Sequence, residues 1–168
     1  MIEWAGYRWD VRELPPVAAG AISRLGSNDS AARLGACTDI VKAAGVNIND
    51  VLLLLFASES EVDILDFVSQ ILTVGSGRPW KTTVSLCMAT VSQWGMIRGR
   101  LIEKGIADPL RQLPSLTALL DVVEVMILDS AEDEKKREET LRDLYRRDDM
   151  TAPPVGWSEG VEGFDGFQ

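Results

Sequence analysis

The sequence predicts a mainly α-helical fold: a compact multi-helix bundle over residues 1–150, a short β-hairpin within residues 1–11, and a flexible acidic and aromatic C-terminal tail over residues 151–168. Three observations predict it. Apolar residues recur at three- and four-residue spacing through most of the chain. Ser, Asn or Asp stands before most of these runs and Gly after them, as at capped helix ends. With 168 residues and 46% apolar content, the chain has enough side-chain volume for one core.

The start, Ile2 to Val11, alternates apolar and polar residues around Ala5-Gly6, which suits a short strand or a hairpin. A lone hairpin is marginal, so Trp4, Tyr7 or Trp9 must pack on the helical body. Leu14-Pro-Pro16 interrupts the chain, and Pro16 opens a short helix that Gly26 ends. Ser27 to Ser30 offer N-caps for a helix with Ala31, Leu34, Cys37, Thr38 and Val41 on one face and Gly45 as its stop. Val51 to Phe56, after the cap signal Asn47 to Asp50, suits a buried helical turn or a core strand; helix is favoured, although so short a run has no decisive period. Ser58 and Glu61 form a capping box ahead of Val62, Leu65, Val68, Ile71 and Leu72.

The stretch GSGRPWKTT, residues 75–83, approaches a phosphate-binding loop, with Gly75 and Lys81-Thr82 in place. Trp80 replaces the second glycine, Pro79 removes an N–H donor, and a helix rather than a strand precedes it. It reads instead as an interhelical hinge, with Gly75-Ser-Gly77 stopping one helix and Pro79-Trp80 starting the next. That next helix carries Val84, Cys87, Met88, Val91, Trp94, Leu101 and Ile102 on one stripe, with Lys81, Ser85, Ser92 and Arg100 facing mostly away. Gly95 and Gly99 lie along it and Gly105 closes it. Asp108-Pro109 caps a further turn, and Leu116, Leu119, Leu120, Val123, Met126 and Ile127 trace the clearest apolar face. Its charged continuation offers the pairs Glu132/Lys136, Asp133/Arg137, Glu138/Arg142 and Asp143/Arg147, as in a solvated helix extension.

Composition removes whole classes of function. The formal charge of −9 argues against a nucleic-acid partner, which needs a basic face. The chain has no histidine, so Ser-His and Cys-His catalysis and most zinc sites are excluded. Cys37 and Cys87 are far apart, without C-x-x-C spacing, and read as reduced buried thiols. The apolar run from Val51 to Ala57 is too short to span a bilayer, and a soluble, intracellular protein is expected. Asp121 and Glu124 border the apolar stripe of their helix and read as boundary residues, not metal ligands. No catalytic residue, cofactor or metal ligand set is expected, and the protein is read as a non-enzyme.

Arg78-Pro-Trp80, WGMIRGRL at residues 94–101, KGIADPL at 104–110 and LPSLTALLDVVEVMI at 113–127 together resemble the tail assembly chaperones of siphophages that infect actinobacteria. The charged helix and the Pro-Pro break that follow also fit. The resemblance implies a protein of the host cytoplasm that coats the tape measure protein, keeps it soluble until tail-tube subunits polymerise around it, and is absent from the mature virion. It also implies self-association and a longer frameshifted form as partners. A helical protein holding an apolar helical chain needs an accessible hydrophobic groove and a charged exterior. The residues for such a groove are Trp80, Trp94, Ile97 and Leu101, although apolar residues at helical spacing usually fill the core instead; Trp157, Phe164 and Phe167 could form a second contact or pack back on the body. The competing expectations are a head-tail connector or tail-completion subunit retained in the virion, and an enzyme or metal protein built on carboxylates alone.

Overall fold

A computed structural model describes residues 1–57 and 63–145. Strands β1 (Ile2–Trp4) and β2 (Tyr7–Trp9) pair antiparallel, with Ile2 opposite Trp9 and Trp4 opposite Tyr7. Ala5 and Gly6 both have positive φ, 53° and 77°, as the tightest hairpin turns require. The hairpin is held by its aromatics: the Trp4 and Trp9 rings lie 4.6 and 5.2 Å from the ring of Phe67, and Trp9 Nε1 donates to the Trp4 carbonyl.

Nine helices follow among the described residues. A 3-10 turn, Pro16–Ala18, leads into α1 (Ala19–Ser23). Next come α2 (Ser30–Ala43), capped by Asp29 through Ala31 N, and α3 (Ile48–Ala57). Asp63 caps α4 (Ile64–Ser76) by accepting from Leu65 N, so the predicted start moves: Ser58, Glu61 and Val62 lie outside the described residues. Gly77 ends α4 in the left-handed region at φ 66°, the stop expected there.

Helix α5 (Trp80–Ser92) forms the axis of the bundle, packed by α1, α4, α6 (Trp94–Glu103) and α8 (Leu116–Asp129). Surrounded on so many sides, it buries Thr82, Thr83, Ser85 and Thr90 as well as Val84, Leu86 and Cys87. Ser85 therefore points inward, not away as its polarity predicted. The single stripe predicted from Val84 to Ile102 is broken at Gln93 (φ −113°, ψ 21°). In a straight helix Ile97 would lie roughly 280° around the axis from Cys87. The break resets the rotation, burying Ile97 and Leu101 and leaving Val91 and Ile102 about half exposed.

On α2 the buried face is Arg33, Ala36, Cys37, Ile40 and Val41, while Leu34 is 48% exposed. The predicted stripe was rotated because Arg33 is buried and donates to the Ser27 carbonyl, a role its charge conceals. Both cysteines are free and buried. Burial and the nearby Asp63 charge push the Cys37 thiol up to about 12, and burial pushes Cys87 up as well.

A short turn, α7 (Pro109–Gln112), precedes α8, whose first amide bonds the Leu14 carbonyl. The charged segment is not an extension of α8. The chain turns after Asp129, and α9 (Glu134–Leu144) starts afresh with Asp133 as its cap, accepting from Lys136 N. Glu132 and Lys136 pair at 2.8 Å as expected. Asp133 caps instead of pairing with Arg137, Glu138 and Arg142 form no ion pair among the described residues, and Arg147 lies outside them.

Candidate functional site

Two sites emerge, one apolar and one polar. The apolar site is α3. Its sequence, INDVLLLLFA, has no polar face beyond the first turn, and only Val51 is fully buried. Asn47 Oδ1 accepts from Asn49 N and fixes its start. Leu53 is 67% and Phe56 87% exposed. Both are large side chains, and burying each against a partner stabilises by about 1.5–3 kcal/mol. Beside them a groove of about 370 Å³ opens between α3 and the hairpin, lined by Tyr7, Arg8, Trp9, Asp50, Leu53 and Leu54. Tyr7, opposite the buried Trp4, is turned outward and 57% exposed. The helix favoured for Val51 to Phe56 forms, but its expected burial is corrected: only Val51 is buried, and Leu53 and Phe56 lie on the surface.

The polar site ties the last helix to the bundle. Arg78, in the hinge between α4 and α5, has a side chain only 10% exposed. It donates to Asp121 Oδ1, to Glu124 Oε2 at 2.8 Å, to the Tyr145 hydroxyl at 3.2 Å and to the Ser76 carbonyl at 3.3 Å. Tyr145 donates in turn to Glu124 Oε1 at 2.8 Å. Burial works to lower the Arg78 pKa, but its bonds to Asp121, Glu124 and Tyr145 outweigh burial and raise it, so the guanidinium stays charged. Burial and the bond to Glu124 raise the Tyr145 hydroxyl, keeping it a donor. Thr82 Oγ1 adds a bond to the Leu144 carbonyl, so the final turn of α9 is held at two points. Asp121 and Glu124 are therefore ion-pair partners of a residue more than 40 positions earlier, beyond the boundary role read from sequence. The phosphate-loop positions are likewise committed to structure: Thr82 and Thr83 are buried, and Thr83 Oγ1 bonds Ser76 Oγ at 2.7 Å.

Of the partner-binding residues named from sequence, the four among the described residues do not form one open groove. Ile97 and Leu101 are 2% and 1% exposed and belong to the core, because α6 turns them inward after the break at Gln93. Trp80 and Trp94 are half-buried, with Lys81 Nζ 5.7 Å from the Trp80 ring centroid. Trp157, Phe164 and Phe167 lie outside the described residues. Sequence reasoning missed Leu53 and Phe56, whose only signal was an apolar helix without a polar face. Among the described residues no helix is long and apolar enough to cross a membrane, and no cluster of three or more acidic or cysteine side chains could hold a metal ion.

A mainly α-helical bundle with one surface-mounted apolar helix defines the structural class. Residues 88–168 match a family of unknown function, DUF7240, a stretch that begins within α5 and leaves α3 outside. No curated protein and no solved structure matches the chain.

Proposed function

We propose that this protein is a non-enzymatic assembly chaperone. It holds a long, apolar, helical client, the tape measure protein of a siphophage tail, soluble until tail-tube subunits polymerise around it. The exposed apolar helix α3 carries this reading: Leu53 and Phe56 project from a chain whose net charge of −9 keeps complexes dispersed. A client helix laid along α3 would bury these anchors and enter the adjoining groove, a helix-to-helix mode read through residues three and four apart. The resemblance of residues 78–145 to tail assembly chaperones supplies the client's identity. It also makes a second copy and a frameshifted longer form natural partners, the host cytoplasm the place of action, and the mature virion a place where the protein is absent.

The test pairs a pull-down of the purified protein against proteins encoded beside it with mass spectrometry of finished particles. Capture of the tape measure protein and absence from particles is the expected result. A fixed copy number in particles would replace the chaperone with a structural subunit of the connector or tail-completion kind.

A further inference from the structure

We infer that, without client, the α3 face is covered by the same face of a second copy, in a two-fold dimer. This rests on the reading of α3 as the docking surface and names what occupies it at rest. A two-fold interface uses one patch twice, so the patch must carry both a projection and a recess. The α3 face has both: Phe56 stands out at 87% exposure, and the groove between α3 and the hairpin begins one turn earlier at Leu53.

Charge points to the same occupant. Arg8 and Asp50 line this groove, and neither side chain makes an ion pair among the described residues. Glu3 lies opposite Arg8 in the hairpin without bonding it. An unrelated helix would have to supply one charge of each sign at the matching places. A second copy supplies both by symmetry, Arg8 of each protomer meeting Asp50 of its partner.

The dimer is weak by construction. Ten residues of helix extend only about 15 Å, which puts the contact at the small end of specific interfaces, near or below about 1,200 Å² in total. Each copy also carries −9, a repulsion that physiological salt screens beyond about 8 Å. Such a dimer shields apolar surface yet yields to a client that buries more of it.

Sedimentation equilibrium of the full chain, from micromolar to near-millimolar concentration, tests this. The wild type is expected to show a monomer–dimer equilibrium, and Phe56→Asp to remain monomeric with an unchanged thermal melt. Arg8→Asp and Asp50→Arg should each weaken the dimer roughly tenfold, and the double reversal should restore it to within a few-fold of wild type. A wild type monomeric throughout, a dimer that survives Phe56→Asp, or a double reversal no better than the singles would overturn the dimer. The two readings fail separately. A monomeric wild type that captures client through Phe56 sinks the dimer alone, whereas a dimer obeying the charge reversal that never captures client upholds the dimer and sinks the chaperone.

Discussion

Replacing Arg78 with Met removes the cation from a cluster in which Arg78 and Glu124 side chains are 10% and 14% exposed. The Glu124 carboxylate then keeps only the Tyr145 hydroxyl as a donor in that cluster, and breaking a buried pair from one side costs about 3–5 kcal/mol. Asp121 is 60% exposed, so Asp121→Ala should cost under about 1 kcal/mol after solvent screening. Tyr145→Phe loses a hydrogen bond to a charged group, worth about 1.5–3 kcal/mol. Urea unfolding followed by circular dichroism at pH 7 reads all three, against a total stability expected near 5–15 kcal/mol. The double variant Arg78→Met/Glu124→Leu removes both charges and should recover most of the loss, because a well-packed apolar pair replaces a buried ion pair with little penalty. An Arg78→Met loss no larger than that of Asp121→Ala, or a double variant no better than the single, would refute the cluster as the fastening of α9.

Two further outcomes follow from local structure. Cys37 has its pKa raised to about 12, against about 8.5 in an unfolded chain, so its contribution is full below the lower value and is lost as pH rises toward the upper. The stability gap between wild type and Cys37→Ala should shift by about 2–3 kcal/mol against the wild type from pH 8 to 10.5, and a constant gap would contradict this. Gly77→Ala places a Cβ in open space but at φ 66°, so a loss of about 1–2 kcal/mol in the same urea assay is expected from backbone strain alone; an unchanged midpoint would contradict it.

The legible parts of the sequence were those governed by neighbours along the chain. The Ala5-Gly6 turn, the stop at Gly77 and the apolar face from Leu116 to Met126 each depend on a few adjacent residues. What the sequence concealed depends on distant residues. Arg33 and Ser85 look like surface residues, and only the packing of other elements over α2 and α5 buries them. The break at Gln93 carries no proline and is required by where Ile97 and Leu101 must point. Arg78 meets Asp121 and Glu124 across a span that periodicity cannot read. The α3 helix shows the limit most clearly, because apolar residues on every side give no face to orient, and the usual inference from such a run is burial. Its exposed Leu53 and Phe56 became visible only once the bundle had closed without them.

The most direct test of the proposed chaperone role is the soluble fraction of the tape measure protein when it is co-expressed with this chain, wild type or Leu53→Asp/Phe56→Asp. Both residues are largely exposed, so the double variant should fold normally. Wild type is expected to keep the client in the supernatant and the variant to leave it in the pellet. Equal client solubility with both chains would contradict α3 as the holding surface.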